Sequence, residues 1–235
     1  KKMIDNTYTM ASEILLSSSS LKNVISTKFN KHTSKLRLLP NPVDQNIFTL
    51  RKNNYINAPF TIICISLFRP EKRIDLILKS FKNIVKTGIN AKLKLIGDGP
   101  LKYKINKQIQ SLGISDLVES LGYLKQRQIV NELHKSHLLV LPSEIETFGM
   151  VLIEAQACGI PVVATDCGGP SDIITNETGI IVKPKSIDHL TQGLKKMIHN
   201  LNNYNPNKIR ENTIKKFGTK AYVDSIKNLI NKLSV

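Results

Sequence analysis

The apolar positions between residues 60 and 200 alternate between two patterns. Residues 60–66 form a continuous apolar run rich in β-branched side chains, which is typical of a strand buried on both faces. Residues 73–86 instead place apolar side chains three or four positions apart, as an amphipathic helix does. The same change recurs along the chain. It predicts further strands at 93–96, 117–121, 137–141, 161–164 and 179–182, and further helices at 101–111, 126–136, 149–158, 170–174 and 187–199.

This alternation predicts an α/β fold with a doubly wound parallel sheet. Successive strands that are separated by helices pair in parallel through right-handed crossovers. In such sheets, ligands bind beyond the carboxyl ends of the strands. We therefore expect one crevice to be lined by the loops that follow five of the strands, at 66–73, 97–100, 122–125, 142–149 and 165–170.

The flanks of this region carry weaker signals of the same kind. Strand patterns at 12–17 and 35–39 enclose a helical pattern at 19–30, so the N-terminal residues resemble the end of an earlier α/β unit. Beyond the last strand, the pattern predicts two helices near 206–216 and 219–233.

Composition narrows the classes of partner. The 235 residues carry a formal charge of +16, which is compatible with nucleic acid or an anionic membrane surface as partner. Only six of the 34 basic residues are arginine, the preferred residue for bidentate phosphate and base contacts, and this disfavours nucleic acid. The net positive charge is concentrated in the flanks, with +6 in residues 1–55 and +6 in residues 186–235 against +4 between them, which leaves peripheral contact with a membrane as an alternative.

Two further features bear on location. No apolar run approaches the roughly 18–20 residues of a transmembrane helix. The three cysteines, Cys64, Cys158 and Cys167, are too few for a disulfide framework and indicate buried thiols in a reducing compartment. The expected location is the cytoplasm, with the cytoplasmic membrane face as an alternative.

The clearest chemical signal precedes and enters the helix predicted at 149–158. The amides of 149–151 fall in its first turn, unpaired and at the positive end of the helix dipole, where anions bind. Glu146 lies in the loop before this turn, and Glu154 interrupts an apolar helix where a carboxylate is costly unless hydrogen-bonded. Either carboxylate could accept a pair of sugar hydroxyls. The alternative is that Glu146 only balances the helix dipole and Glu154 is exposed.

The surrounding motifs resemble one family. Glu-x7-Glu at 146–154 is followed by Ala-x-Ala-x-Gly-x-Pro-Val-Val-Ala-Thr at 155–165 and Gly-Gly-Pro at 168–170. This arrangement is similar to the retaining GT-B glycosyltransferases of family GT4, the glycosyl transferases group 1. Similar in the same order are Pro-Asn-Pro-Val-Asp at 40–44, Glu-Lys-Arg at 71–73, Leu-Ile-Gly-Asp-Gly-Pro at 95–100 and Leu-Gly-Tyr-Leu at 121–124.

The resemblance implies a domain organisation and an activity. Residues 1–40 would be the C-terminal end of an otherwise missing acceptor-binding domain, 41–200 the Rossmann-like donor-binding domain, and 201–235 C-terminal helices. The implied enzyme moves a hexose from a UDP- or GDP-linked sugar to a hydroxyl of a saccharide or lipid-linked acceptor, with retention and without a cofactor. We expect this chain alone to bind a nucleotide and to transfer sugar poorly.

The resemblance also implies roles for individual residues. Glu146 would hold hydroxyls of the donor sugar and Lys72 would neutralise the departing diphosphate, which makes these two the catalytic candidates. Glu154 would bind the ribose hydroxyls. The remaining donor-binding candidates are the diphosphate contacts Phe148, Gly149, Met150 and Val151, the base contacts Tyr123 and Leu124, and two further loop residues, Arg69 and Gly97.

One departure from the family affects the diphosphate. The family usually has Gly-Arg shortly after the first strand of this domain, where this chain has Ser66 and Leu67. Arg69 and Arg73 are the nearby cations that could replace that arginine. Asp172, which stands where the family commonly has Glu, is a smaller change.

Other functions remain open on the sequence alone. A GT-B sugar phosphorylase or a nucleotide-sugar epimerase shares the fold, and a non-catalytic basic module would bind anionic lipid or RNA. Metal chemistry has little support, because the sequence contains no Asp-x-Asp and because His134 and His137 lack Cys or carboxylate partners at ligand spacing.

Overall fold

The N-terminal part is a small α/β unit in the computed structural model, which describes residues 2–52 and 59–233. Its two strands, β1 (Ile14–Leu16) and β2 (Leu36–Leu38), pair in parallel, so the two predicted strands are present, and so is the predicted helix between them. The sequence pattern missed α1, whose C-terminal end is held by Lys35 through hydrogen bonds from Nζ to the carbonyls of Thr9 and Ala11. The elements are α1 (Lys2–Met10), β1 (Ile14–Leu16), α2 (Ser19–Lys28) and β2 (Leu36–Leu38).

Six parallel strands form the central sheet of the part of the chain that the structure describes. They are β3 (Phe60–Ile65), β4 (Ala91–Ile96), β5 (Val118–Gly122), β6 (Leu138–Leu141), β7 (Val162–Thr165) and β8 (Gly179–Val182). Their order is β5-β4-β3-β6-β7-β8, and every neighbouring pair is parallel. The predicted α/β fold class is confirmed.

Helices cover both faces of this sheet. In β3, Ile62 and Cys64 point into the core on one face, while Ile63 and Ile65 point into the core on the other. This double burial explains the continuous apolar run. Helices α3, α4 and α8 pack on the first face, and α5, α6 and α9 on the second. The helices are α3 (Ile74–Val85), α4 (Lys102–Ser111), α5 (Gln126–His134), α6 (Met150–Ala157), α7 (Pro170–Ile173), α8 (Ile187–His199), α9 (Pro206–Phe217) and α10 (Thr219–Leu233).

The strand order reverses between β3 and β6. From β3 the chain moves outward through β4 and β5 and then returns to β6 on the other side of β3. The loops after β3 and β6 therefore leave their strands toward opposite faces of the sheet and open a crevice between them, which is where doubly wound proteins bind ligands.

The segment that follows β2, residues 39–52, is the linker, and together with α9 it packs on the second face. Val43 and Phe48 of the linker are buried in that core, and Val43 forms a bridge with Gly218. Arg210 on α9 donates to the carbonyls of Gln45 (3.1 Å) and Phe48 (2.6 Å) in the linker. The division of the chain into three parts stays a prediction. Among the described helices, none is long and apolar enough to cross a membrane.

Candidate functional site

A cavity of about 270 Å³ opens at the point where the strand order reverses. Its walls come from the ends of β3 and β6, the loops that follow them, the start of α6 and the linker. Six of the residues singled out from the sequence line it: Lys72, Glu146, Phe148, Gly149, Met150 and Val151. Two of the five loops expected to line one crevice, 66–73 and 142–149, thus meet here, whereas the described residues that line the cavity include none from 97–100, 122–125 or 165–170.

The amino end of α6 faces this cavity. Gly149 precedes the helix with φ 104° and ψ 56°, a left-handed conformation that glycine adopts without a steric penalty. The amide of Leu152 makes a hydrogen bond of 2.9 Å to the Gly149 carbonyl, so the amides of Met150 and Val151 come before the first bond of the helix. These amides and the helix dipole create a positive potential that suits an anion.

The loop that carries Glu146 is fixed by two glycines. The Glu146 amide donates to the Cys167 carbonyl (3.2 Å), and the Glu146 carbonyl accepts from the Gly169 amide (2.8 Å). A Cβ at Gly168 would lie 2.7 Å from the Glu146 carbonyl oxygen, and a Cβ at Gly169 would lie 2.3 Å from the Phe148 Cα. The Gly-Gly pair is therefore needed for close packing of two loops, a role that the sequence analysis did not assign.

Lys72 and Glu146 form an ion pair inside the cavity. Lys72 Nζ lies 2.6 Å from Glu146 Oε2, and the two side chains are only 19% and 15% exposed. Lys72 ends a short 3₁₀ turn, Pro70–Lys72, in the loop that follows β3. The pair places one cation and one carboxylate beside the amides of α6. This arrangement can bind an anionic group and a hydroxylated group next to each other.

Glu154 has different surroundings from Glu146. It lies one helical turn after Met150, on the same side of α6, because residues four apart share a helix face. Burial raises its pKa from 4.5 to about 7. Within the described residues, no lysine or arginine forms an ion pair with it. The residue is half-buried, and its carboxylate is thus an acceptor that has no cation partner in the described part of the chain.

The other predicted donor contacts do not line the cavity. The described residues that line it do not include Arg69, Gly97, Tyr123, Leu124 or Glu154. Arg69 and Tyr123 are exposed, and Leu124 packs against the core beside α5. Gly97 has a packing role, since a Cβ there would lie 1.9 Å from the Ser66 carbonyl oxygen. The donor contacts of these residues stay predictions.

Arg73 is engaged elsewhere. Its guanidinium binds Asp75 through Nε (2.9 Å) and Nη2 (3.1 Å) and binds Glu144 through Nη1 (3.1 Å). It therefore does not reach the cavity as a substitute for the family's usual arginine. Lys72 is the cation among the described residues that line the cavity.

Sequence reasoning missed several contributors. Asn41 reaches the cavity from the linker, where its position between two prolines was the available signal, and Ser66 and Leu67 line the cavity as well. Asp172 accepts a hydrogen bond of 2.5 Å from the Ser19 amide and so joins α7 to the N-terminal unit.

The two histidines considered as metal ligands make hydrogen bonds to the backbone. His134 Nε2 lies 2.8 Å from the Thr49 carbonyl oxygen. His137 Nδ1 accepts from the Thr61 amide (2.9 Å), and the ring stacks on Phe60. Both histidines tie neighbouring segments together.

Comparison with known proteins gives consistent matches. A family model described as "Glycosyl transferases group 1" matches residues 46–216. The chain is 35% identical over 159 residues to N-acetyl-alpha-D-glucosaminyl L-malate synthase of Bacillus anthracis, a match that covers 64% of this chain and 41% of the relative. It is 32% identical over 200 residues to poly(ribitol-phosphate) alpha-N-acetylglucosaminyltransferase of Staphylococcus aureus, covering 80% of this chain and 40% of the relative.

Solved structures agree with this result. Staphylococcus aureus TarM in complex with fondaparinux, alpha-GlcNAc-glycerol and UDP superposes with a TM-score of 0.84 at 27% identity, over 98% of this chain and 46% of that one. The lipopolysaccharide outer core galactosyltransferase WaaB gives 0.82 at 25% identity, over 99% and 65%. The chain therefore spans about two fifths of the length of the two curated relatives described above.

Proposed function

Because this chain belongs to the glycosyl transferases group 1 family, we propose that it forms the donor-binding part of a retaining hexosyltransferase. The reaction moves a hexose from a nucleoside diphosphate sugar to an acceptor hydroxyl. One observation carries the proposal: the Lys72–Glu146 pair and the free amides of α6 meet in one cavity where the strand order reverses.

The cavity suits the donor diphosphate. Its phosphates would accept hydrogen bonds from the amides of Met150 and Val151, with the Lys72 ammonium alongside. When the bond between the anomeric carbon and the phosphate oxygen breaks, the diphosphate takes the electron pair and gains negative charge. Cations and amide dipoles that are already oriented toward that charge lower the barrier.

Glu146 is the proposed contact for the sugar. As the partner of Lys72 it lies beside the diphosphate, where its carboxylate can accept hydrogen bonds from hydroxyls of the sugar. The acceptor oxygen then attacks the face from which the diphosphate departs, and its proton passes to the departing phosphate oxygen. Retention of the anomeric configuration follows from this same-face attack.

Glu154 is the proposed contact for the ribose. Two neighbouring hydroxyls can donate to one carboxylate, and such a pair would compensate a charge that burial otherwise disfavours. UDP is the nucleotide bound in the TarM structure, so a UDP-linked sugar is the first donor to test here.

Titration calorimetry with UDP-glucose tests the assignment. We expect Lys72→Ala and Glu154→Gln each to weaken binding about tenfold or more, since each removes a hydrogen bond to a charged group. Lys220→Ala and Glu211→Gln, which change the same charges on exposed helix positions, are the matched controls. Unchanged binding in both site variants contradicts the assignment.

A module for anionic lipid or RNA would behave differently. Its binding to that lipid or RNA would weaken steeply with salt and would be unaffected by Glu154→Gln.

A further inference from the structure

The side chains of two residues with strained backbone conformations bind the same carboxylate. Among the described residues, Arg73 (φ 48°) and Lys185 (φ 60°) are the two non-glycine residues with positive φ. Both side chains bind Glu144: Arg73 Nη1 lies 3.1 Å from Oε2, and Lys185 Nζ lies 2.6 Å from Oε1. Such conformations persist only where the surrounding structure enforces them, and they concentrate at functional sites. We name Glu144, Arg73, Lys185 and Asp75 the Glu144 cluster.

This cluster joins the loops that carry the cavity's ion pair. Glu144 stands two residues before Glu146, and Arg73 directly follows Lys72. The Glu144 amide also donates to the Glu71 carbonyl at 2.7 Å, so backbone and side chain connect the same two loops. Lys185 adds a third attachment, from the turn after β8.

The cluster lies outside the cavity itself. Glu144 and Arg73 line a separate groove of about 900 Å³ between α3, α4 and the loop after β6. Asp75 holds two nitrogens of the Arg73 guanidinium and leaves Nη1 directed at Glu144. Hydrogen bonds from Lys185 and Arg73 lower the pKa of Glu144, so this carboxylate is ionised at neutral pH. Glu144 does not line the cavity, so apart from the long-range effect of its charge it can act on a ligand there only through the placement of Lys72 and Glu146.

We propose that Glu144 is a positioning residue that sets the placement of Lys72 relative to Glu146 and thereby the affinity for the diphosphate. This inference rests on the proposed function. The competing interpretation is that the cluster only stabilises the fold. The two interpretations predict opposite changes in affinity when the charge of Glu144 is removed. An acidic residue that has no positioning role only repels a diphosphate, so its removal would tighten binding.

Glu144→Gln separates them. The substitution removes a negative charge close to the cavity, so electrostatics alone predicts tighter binding of UDP. Positioning predicts weaker binding, by about threefold or more, because loss of the Arg73 and Lys185 contacts lets the two loops that carry Lys72 and Glu146 shift, and residues that share a backbone shift are coupled. Titration calorimetry with UDP measures the difference. Equal or tighter binding by Glu144→Gln overturns the proposal.

Lys185 supplies a second test that does not depend on the stability of the first variant. Lys185→Gly removes the cation but relieves the positive φ, so its melting temperature should equal or exceed that of the parent while UDP binds about threefold more weakly. Lys185→Arg should restore the affinity. Lys183→Ala, which removes an exposed cation from the same segment, is the control for charge alone. If Lys183→Ala weakens binding as much as Lys185→Gly does, positioning is rejected.

If the parent chain binds none of UDP, GDP and ADP, the proposed function itself fails.

Discussion

Two carboxylates near the cavity have opposite electrostatic surroundings. Glu146 is 2.6 Å from the Lys72 ammonium, whereas Glu154 sits in an apolar helix with its pKa raised to about 7 by burial. The sequence already indicated that a carboxylate among the apolar residues of this helix is costly. The structure adds that this cost is not offset by a cation in the described part of the chain.

At the scale of the residue, Glu154→Gln should raise stability. The pKa of Glu154 is higher in the folded chain than its ordinary 4.5, so the folded state binds more protons, and its stability falls as pH rises from about 4.5 to 7. Glu154→Gln has no titrating carboxyl at this position, so its stability does not fall over this pH range for this reason. At pH 8 we expect its free energy of unfolding to exceed that of the parent by up to about 3 kcal/mol, with little difference at pH 4.5. Urea titrations at both pH values measure this, and equal stability at pH 8 contradicts the burial argument.

The same residue predicts a pH dependence for ligand binding. Ribose hydroxyls donate to the ionised carboxylate, so UDP affinity should fall as the pH drops below about 7, where Glu154 takes up a proton. Calorimetry between pH 5.5 and 8 checks this. Glu154→Gln should lose that dependence, and a profile shared by parent and variant would assign it to another group.

At the scale of elements, the sequence predicted the strands and helices of the central domain closely. Strands buried on both faces leave continuous apolar runs, and the crossover helices leave a clear helical period. Helix α1 was missed because distant contacts stabilise it, among them Lys35 at its C-terminal end and the edge-to-face packing of Tyr8 on Phe29. The Glu144 cluster was missed for a similar reason, since left-handed backbone at Arg73 and Lys185 has no sequence signal.

The packing of the two loops around Gly169 leads to a prediction. Its φ of −55° suits any residue, so an added methyl group acts only through its contact with Phe148, at 2.3 Å from Cα. Gly169→Ala should therefore displace the loop that carries Glu146, lower the free energy of unfolding by about 1–3 kcal/mol and weaken UDP binding. Gly88→Ala, where a Cβ meets nothing within 4 Å, should cost about 1–2 kcal/mol and leave binding unchanged. A Gly169→Ala variant that binds UDP normally contradicts the role of the close packing.

The side chain of Arg210 is one of several contacts that hold the linker against the second face of the sheet. Arg210 donates to the carbonyls of Gln45, Phe48 and Ala157, which ties the linker to the C-terminal end of α6. Arg210→Met keeps the apolar stem but leaves these acceptors without their donor. We expect a loss of about 2–4 kcal/mol in urea unfolding, against little change for Lys208→Met on the exposed side of the same helix. Equal effects of the two substitutions would show that Arg210 contributes only its charge.

At the scale of the whole molecule, the apolar surface is unevenly distributed. The side chains of Leu15 in β1 and Leu38 in β2 are 48% and 44% exposed, and Val223, Ile230 and Leu233 on α10 are 40–55% exposed. A parallel sheet of two strands is unusual, because parallel sheets are normally covered on both faces. The chain spans about two fifths of the length of the two curated relatives described above, and the assignment of the N-terminal residues to an acceptor-binding domain stays a prediction.

Transfer of sugar needs an acceptor site as well as a donor site. If the acceptor site lies in that other domain, the 235-residue chain should bind UDP-glucose but transfer little sugar, because the barrier falls only when donor and acceptor are held together. Transfer of radiolabelled glucose from UDP-glucose to a mixed polysaccharide and membrane extract is the measurement, with calorimetry on the same preparation to prove that the donor site is folded. We expect binding in the calorimeter and label no higher than in a Lys72→Ala preparation. Label well above that level would mean that the acceptor site lies within residues 1–235.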